Sequence, residues 1–317
     1  FVRIFGLDRV PLTPLPRTGT VGQKVLTTGQ IRRNRARRAL AARGFNEAVT
    51  WSFISRPQAE LFGGGNAALA LANPISHEMS DMRPSLLPGL LTAAQRNADR
   101  GFGDVALFEI GQVFHGDTPE GQKMVAAGVR RGTAKLQGPD RHWSGTSTDV
   151  DVYAAKAAVE AALAAIGAPV DRLQVYTDAP ATFHPGRSGC LKLGPKNTLA
   201  VFGEVHPRTL AELDIEGPLV AFEIDLDALP QPKKKGSGSK GALNASHLMP
   251  VRRDFAFLVG QDVVAETVLK AARGAEKNLI AEVTLFDIYE GQGVPEGQKS
   301  VAIYVLRQPR QKTLKDD

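Results

Sequence analysis

Apolar and polar residues alternate in short runs along most of the chain, and clusters of Gly, Pro, Asn and Asp separate the runs. Residues 27–45 have a helical pattern, with Thr28 as a potential cap and Gly44 in place to end the helix. Residues 46–55 follow at once and alternate with a period of two, which predicts a strand. The first recognisable unit is therefore a helix followed directly by a strand.

The middle of the chain predicts a sheet with a few helices. Residues 73–91 are dense in turn-forming residues, and a Pro-Gly pair favours the start of a helix at 90–100. Residues 105–114 predict a buried strand, and the alanine-rich residues 152–166 predict a helix. This pattern is typical of an α+β domain with a mainly antiparallel sheet. Further short strands are predicted at 172–177, 189–193, 199–205 and 219–225.

The last part of the chain reads as a linker and a second domain. Residues 230–247 are rich in Gly, Ser and Lys, which cannot supply a core, and predict a flexible linker. Beyond it we expect a strand, a helix over 263–273 capped by Asp262 and ended by Gly274, and two strands joined by the loop 291–298. This β–α–β–β order is the first two-thirds of a ferredoxin-like βαββαβ unit. The sequence stops before the last helix and strand, so we expect an incomplete domain with an unpaired sheet edge.

Composition limits the class of protein. With 43% apolar residues in 317, the chain can form the cores of about two domains. No apolar run approaches the ~18 residues that a membrane span needs. The single cysteine, Cys190, excludes an internal disulfide and a cysteine-rich zinc site, and it favours a reducing compartment. There is no signal-peptide pattern, and the first residue is Phe1 instead of Met, so we expect a piece of a longer polypeptide.

The formal net charge of +6 is unevenly distributed. Residues 1–43 hold ten basic residues and one acid, and residues 231–247 hold four lysines and no acid. Residues 44–230 hold 15 basic and 22 acidic residues, whereas residues 248–317 hold ten of each sign. The chain therefore has one dense basic segment and one basic linker, and it is not a uniformly basic nucleic-acid coat.

An arginine cluster is the sharpest chemical feature of the predicted first helix. Its members spread around the whole helix, so they do not form one solvent stripe. Such a helix gains from a negative partner, either RNA phosphate or an acidic protein surface. The alternative is a solvated helix whose arginine stems cover neighbouring apolar surface. The cluster comprises Arg32, Arg33, Arg35, Arg37, Arg38 and Arg43.

No arrangement of residues predicts a catalytic site. No two histidines share a metal-ligand spacing such as i,i+4, and there is no nucleophile elbow. The glycines of 291–297 imitate a phosphate loop, but a β-branched strand follows them, so a hairpin loop is the better interpretation. In residues 183–189, His184 and Arg187 either hold an anion or form a structural turn that leads into a strand.

Several segments, in one order along nearly the whole chain, resemble the β subunits of bacterial phenylalanyl-tRNA synthetases. These segments are NPISHEMSDMRPSLLPGLL, LFEIGQVF, FHPGRSG, FGEVHP, RRDFAFLV, LFDIYEG and KSVAIYVLRQ. The resemblance implies four parts. Residues 1–18 are the last strand of a small magnesium-associated domain with its connector, and residues 19–229 are a class II synthetase-like core. Residues 230–247 are a linker, and residues 248–317 are an incomplete ferredoxin-fold anticodon-binding domain.

The resemblance also implies that this chain has a non-catalytic role. The class II pattern needs an arginine two residues before Glu109 for ATP, and Leu107 stands there. No glycine-rich segment ending in arginine follows. We therefore expect a catalytically silent core in a phenylalanine–tRNA ligase, with no catalytic residue here. ATP and Mg²⁺ would act in the holoenzyme, and this part would bind no cofactor, because the family's metal ligands would lie upstream of Phe1.

Two interfaces follow from the resemblance and from residue chemistry. The helix-strand unit is implied to contact the α subunit, in an assembly of two α and two β subunits. The tRNA contacts are inferred from position, because Arg and Tyr can stack on bases and Lys serves phosphates. The alternative for this second set is a solvated sheet edge and a core tyrosine. The predicted subunit interface is Arg32, Arg35, Arg38, Phe45 and Trp51, and the predicted tRNA contacts are Arg252, Arg253, Tyr289 and Lys299.

The resemblance implies a cytoplasmic enzyme subunit whose partners are the α subunit and tRNA, with no membrane contact. An alternative from another class is a stand-alone RNA-binding or adaptor protein built on a synthetase-like core. The alternative predicts a short gene that starts near Phe1 and no partner subunit.

Overall fold

The computed structural model describes residues 2–14, 25–133, 148–231, 242–243 and 245–314. The chain forms two compact units, Phe1–Lys233 and Lys234–Asp317. The division falls inside the predicted linker, most of which lies outside the described residues. Among the helices of the described ranges, none combines the length and the apolar character that a bilayer span requires.

The first unit contains six helices and nine strands within its described residues. Its helices are α1 (Val2–Phe5), α2 (Thr28–Ala42), α3 (Arg56–Leu61), α4 (Leu87–Ala98), α5 (Val152–Ala165) and α6 (Pro207–Glu212). Its strands are β1 (Asn46–Glu47), β2 (Phe53–Ile54), β3 (Asp81–Met82), β4 (Val105–Phe114), β5 (Gln122–Arg131), β6 (Gln174–Tyr176), β7 (Phe183–Lys192), β8 (Thr198–Val205) and β9 (Leu219–Asp225). Short 3-10 turns occur at Leu7–Arg9, Ala67–Leu69, His77–Met79, Pro119–Gly121 and Val170–Arg172.

Seven of these strands form one sheet in the order β1-β4-β5-β9-β8-β7-β6. Strand β1 is parallel to β4, with Asn46 opposite Leu107, and the other neighbours are antiparallel. The mainly antiparallel sheet predicted from the sequence is therefore confirmed. Strands β2 and β3 pair separately as a short ribbon.

The sheet buries apolar side chains on both faces, because successive residues of a strand point to opposite sides. Ala106 and Phe108 of β4 belong to a core that also contains apolar residues of α2 and α5. Val105 and Val113 of the same strand belong to a second core, which α4 covers. The strand predicted at 105–114 and the helix predicted at 152–166 are thus confirmed.

Several predicted elements were wrong in detail. The strand over 46–55 is interrupted, because residues 48–52 make no ladder and instead bond to buried polar groups described below. Strand β5 was missed, because its Ala- and Gly-containing centre has weak strand propensity. The cap of α2 is Thr27, which forms a reciprocal capping box with Gln30.

The first residues of the chain form the four-residue helix α1, whereas the resemblance implied a strand there. A strand is stable only when a neighbour satisfies its backbone groups, and no described strand pairs with Val2–Phe5. The prediction of a strand at this position was therefore wrong.

The second unit is the sheet β10 (Val251–Gly260), β12 (Gln298–Arg307) and β11 (Ile280–Tyr289), in that order, with helix α7 (Ala265–Ala275). Both strand pairs are antiparallel, and the core joins Leu269 of α7 to Val283 of β11 and Val301, Ile303 and Val305 of β12. This confirms the predicted β–α–β–β order. The helix limits were wrong, because Val264 precedes α7 without a side-chain cap and the helix continues through Gly274.

Candidate subunit and nucleic-acid interfaces

Helix α2 places its arginines in two different environments. Ala36 and Leu40 are buried one turn apart, so this side of the helix faces the core. Arg32 lies one turn earlier on the same side and is buried. Its guanidinium donates to the carbonyl oxygens of Leu229 and Pro230 at 2.7 and 2.6 Å. Burial lowers the pKa of Arg32, and the nearby Asp227 opposes that shift.

The other side of α2 carries the exposed arginines Arg35 and Arg38. No salt bridge engages either side chain within the described part of the chain. Arg37 differs, because its Nε lies 2.7 Å from Oε1 of Glu47 on β1. The exposed side of α2 is therefore basic, and Arg35 and Arg38 are its accessible charges.

Two residues of the predicted interface belong to the interior instead. Phe45 is buried and packs edge-on against Phe222, with ring centroids 5.7 Å apart. The guanidinium of Arg130 lies over the Phe45 ring, 5.7 Å from the ring centroid. Like Arg32, Phe45 stabilises the fold of this chain and is not accessible to a partner. The structure places both side chains in the interior of this unit, and the sequence pattern did not separate the buried side of the unit from its exposed side.

Trp51 is 68% exposed, and the neighbouring Val49 is 90% exposed. Both belong to residues 48–52, the segment that makes no ladder between β1 and β2. A groove of about 540 Å³ runs beside this segment and also contacts Glu78 and Arg96. Exposed Trp and Val side chains beside a groove are typical of an interaction surface.

A buried ion pair between Arg83 and Glu109 contacts residues 48–52 through Thr50. Arg83 and Glu109 are 4% and 3% exposed, and Nη1 of Arg83 lies 2.8 Å from Oε1 of Glu109. The Thr50 hydroxyl donates to the other oxygen of Glu109 at 2.6 Å and lies 3.0 Å from Nη1 of Arg83. Arg83 also donates from Nε to the carbonyl oxygen of Gln112 at 3.0 Å. The pair therefore joins β4, the start of the segment before α4, and the segment that carries Trp51.

Small residues make room for this pair. A Cβ at Gly111 would lie 2.5 Å from Nη2 of Arg83, and a Cβ at Gly89 would overlap the Thr50 side chain. The sequence analysis did not identify the Arg83–Glu109 ion pair.

The signal that could have indicated it is Glu109, an acid in the middle of a mostly apolar strand, with a glycine two residues later.

A second acid, Glu223 on β9, lies on the same face of the sheet. Glu109 and Glu223 both stand opposite Ala127 of β5, one on each side, so they are two strand spacings or roughly 10 Å apart. The Ser85 hydroxyl donates to Glu223 at 2.5 Å, and the Leu86 amide donates at 3.3 Å. Burial of the carboxyl group raises the pKa of Glu223 to about 7, although these two donors act in the opposite direction.

The segment with His184 and Arg187 lies within β7, and its side chains contact other parts of this chain. Arg187 forms a two-point ion pair with Glu204, with Nη2 2.7 Å from Oε1. Nδ1 of His184 accepts a hydrogen bond from the Gly186 amide at 3.1 Å. Of the two alternatives for this segment, these contacts favour the structural turn, because Glu204 already neutralises the arginine.

Cys190, farther along the same strand, is buried, and burial raises the pKa of its thiol to about 11. A thiol with so high a pKa is a poor nucleophile at neutral pH. The cysteine therefore belongs to the core of the sheet.

The sheet of the second unit separates the four predicted tRNA contacts into two pairs. Arg252 and Tyr289 stand opposite Leu306 and Ser300 of β12, so they share the face away from α7. Arg253 and Lys299 lie on the other face by the same register. Within each pair the two residues are six positions apart along the sheet, which is roughly 20 Å. The structure does not bring the four residues together into one site.

Arg252 has a defined environment on its face. Its guanidinium lies 3.8 Å from the centroid of the Tyr304 ring, and the Tyr304 hydroxyl donates to Glu282 at 2.9 Å. Lys299 donates to the carbonyl oxygen of Gln261 at 2.8 Å, and Tyr289 is 46% exposed. A stacked arginine and an exposed tyrosine on an open sheet face are groups that can receive unstacked bases.

Comparisons with known proteins agree with this architecture. A family model described as the phenylalanyl tRNA synthetase beta chain CLM domain matches residues 13–226. A second model, the ferredoxin-fold anticodon binding domain, matches residues 246–317. The resemblance inferred from the sequence segments is therefore confirmed.

Curated relatives with the name phenylalanine–tRNA ligase beta subunit match the whole chain. The Brucella suis protein is 55% identical over 316 residues, which are 100% of this chain and 39% of that protein. The Bradyrhizobium diazoefficiens protein is 54% identical over 315 residues, with 99% and 39% covered, and the Rhodopseudomonas palustris protein is 56% identical over 316 residues, with the same shares. The chain thus spans about 39% of the length of these relatives.

The chain is less similar to proteins of known structure. A pyrrolysyl-tRNA synthetase from Desulfitobacterium hafniense is 19% identical, with a TM-score of 0.45 over 62% of this chain and 65% of that chain. A similarity at this level carries no argument about function.

Proposed function

The chain belongs to the family of phenylalanine–tRNA ligase β subunits, and from this membership we propose that it is a non-catalytic part of such an enzyme. It supports the ATP-dependent attachment of phenylalanine to tRNA through subunit assembly and tRNA binding. Assembly as two α and two β subunits and a cytoplasmic location belong to the same proposal. The observation that carries it is the exposed basic side of α2, together with the exposed side chain of Trp51.

We propose a class II synthetase-like architecture for the first unit. Two observations support this proposal: the α2–β1 unit places a parallel strand at the edge of the sheet, and the remaining strands of that sheet are antiparallel. This is the arrangement that the resemblance implies for a core of this class, in which a helix followed by a strand makes the subunit contact.

The chemistry of the sheet face supports catalytic silence. Leu107 stands at the position where the class II pattern needs an arginine, and Glu109 is already paired with Arg83 and Thr50. A carboxylate in a fully satisfied buried network has little capacity left for a substrate. The α subunit would then supply the groups that act on ATP and phenylalanine.

ATP and Mg²⁺ would act in the whole enzyme. Across the ranges that the structure describes, no three His, Cys, Asp or Glu side chains are grouped to hold a metal ion. No step through Mg²⁺ is assigned to the described residues.

We expect the exposed side of α2 to bind an acidic surface of the α subunit. Arg35 and Arg38 carry two accessible charges without a salt bridge in the described structure, and Trp51 offers exposed apolar area. Charged groups around an interface mainly raise the association rate, and aromatic residues at its centre supply affinity. This division of roles predicts that charge reversal on α2 weakens assembly without unfolding the subunit.

The test uses a full-length β subunit and its purified α subunit. The double variant R35E/R38E should weaken assembly about 10- to 100-fold, measured by sedimentation or interferometry. The matched control R100E/R172E changes the net charge equally at exposed arginines on other elements. Both doubles should keep the melting temperature of the parent. The assembly proposal is wrong if R35E/R38E assembles as tightly as the control does.

A further inference from the structure

A cavity of about 390 Å³ opens beside α6 and the loop that precedes β7. Leu61, Pro180 and Phe183 form part of its lining and give it an apolar wall. The same cavity is lined by the polar residues His206, Arg208, Thr209 and Glu212. It lies away from the groove beside Trp51, with which it shares no lining residue. Neither the proposed assembly surface nor the tRNA contacts make use of it.

His206 acts as a hydrogen-bond donor toward any ligand of this cavity. Its Nδ1 accepts the backbone N–H of Arg208 at 3.0 Å, so the proton of the neutral ring sits on Nε2. A ring in this tautomer does not ligate a metal through Nε2, because that nitrogen carries the proton. His184, whose ring stacks on His206 with centroids 6.1 Å apart, is fixed in the same tautomer by the Gly186 amide.

Two further donors of the cavity have no acceptor among the described residues. Thr209 is 3% exposed, and its hydroxyl makes no hydrogen bond to any described group. The hydroxyl oxygen keeps some exposure within the cavity, where water or a ligand can accept its hydrogen bond. The Arg208 guanidinium likewise makes no salt bridge in the described structure. An imidazole N–H, a hydroxyl and a guanidinium thus line one cavity, and each lacks an acceptor from the chain.

We propose that this cavity binds a small carboxylate that carries an apolar group. The carboxylate would accept from Arg208, Thr209 and His206, because charge-assisted bonds to a guanidinium are the strongest of this kind. The apolar group would lie against Leu61 and Phe183. Glu212, one helical turn beyond Arg208, opposes negative charge and disfavours a dianion such as phosphate.

The test titrates the purified chain with benzoate, inorganic phosphate and benzyl alcohol, followed by calorimetry and by thermal denaturation. Benzoate should bind with a dissociation constant of about 1 mM and raise the melting temperature. Phosphate lacks the apolar group and benzyl alcohol lacks the charge, so each should bind at least ~10-fold more weakly. Binding of phosphate as tightly as benzoate would overturn the assignment to an apolar carboxylate.

Variants assign the binding to these residues. R208Q should weaken benzoate about 10-fold, and T209V should weaken it several-fold through loss of the hydroxyl. E212Q should tighten benzoate, because it removes the opposing charge. R172Q, at an exposed arginine that does not line the cavity, should leave the affinity unchanged. No binding at ~50 mM benzoate, or equal weakening by R208Q and R172Q, would overturn the proposal.

Discussion

The acids Glu109 and Glu223 show how two buried carboxyl groups on one sheet face are stabilised by different partners. Glu109 is paired with a guanidinium at 2.8 Å, whereas Glu223 has a serine hydroxyl and a backbone amide as its close donors. A full opposite charge offsets the desolvation of a carboxylate far better than neutral donors do. Burial therefore raises the pKa of Glu223 to about 7, and Glu109 is stabilised by its ion pair.

Because Arg83 and Glu109 form a buried ion pair, we expect the effects of substituting them on the free energy of unfolding to depend on each other. E109Q leaves the Arg83 charge buried without its partner, so we expect a loss of about 3–5 kcal/mol in the free energy of unfolding. The double variant R83M/E109Q removes both charges, and we expect it to recover most of that loss. Urea denaturation of the two single variants and the double measures the coupling. Additive effects of the two substitutions would contradict a direct ion pair.

Because the pKa of Glu223 is raised, we expect its contribution to the free energy of unfolding to fall as the pH rises. Below the unfolded pKa of about 4.3 the carboxyl group is protonated in both states, so it adds no pH dependence. Between that value and the folded pKa of about 7, the unfolded state ionises while the folded state keeps its proton. The contribution of Glu223 to the free energy of unfolding should therefore decrease through this window and level off above the folded pKa.

The variant E223Q isolates this effect, because it cannot ionise. The difference in unfolding free energy between E223Q and the parent should change by on the order of 2 kcal/mol between about pH 4.5 and pH 8, in favour of E223Q at the higher pH. A difference that stays constant across the window would mean that Glu223 is ionised in the folded state.

At the scale of single elements, the sequence predicted most of the strands and the three long helices of the first unit. Helix α5 and strand β4 follow from apolar periodicity alone, because each buries a regular set of side chains. The strand expected over 46–55 failed for a different reason. Its middle is held by Arg83 and Glu109, which are distant in sequence, and local periodicity carries no information about such contacts.

Helix α2 illustrates the same limit for the candidate interface. Its arginines were recognised as a cluster, but Arg32 is buried against carbonyl oxygens near the end of the first unit. That contact spans more than 190 positions of sequence. The exposed remainder of the cluster, including Arg35 and Arg38, keeps the chemistry that the sequence predicted.

At the scale of the whole molecule, the +6 charge does not identify a nucleic-acid surface by itself. The first 43 residues carry most of the excess positive charge, and part of it is used internally or on the exposed side of α2. The strands and the helix of the second unit fall within residues 248–317, which hold equal numbers of acids and bases. Binding of tRNA by that unit would then depend on a few residues and not on its net charge.

We expect weak, salt-dependent tRNA binding through the sheet of the second unit and through the linker lysines, which lie outside the described residues. Each phosphate contact should contribute about −0.7 to −0.9 to the slope of log affinity against log salt concentration. K299Q should make the slope of the full-length subunit shallower by about that amount, because it removes one contact. The control K270Q neutralises an exposed lysine on α7 and should leave the slope unchanged. A parental slope near zero would exclude phosphate contacts.

We propose that this chain supports the ligase through assembly and tRNA binding and does not take part in its chemistry. The most direct measurement is the aminoacylation rate constant of the assembled enzyme whose β subunit carries R83M/E109Q. These substitutions remove both charges of the buried pair, and they change no residue on the exposed side of α2 or in the second unit. We predict a rate constant within roughly twofold of the parent. A fall of about 100-fold or more, with assembly and tRNA binding intact, would show that this chain acts on the substrates.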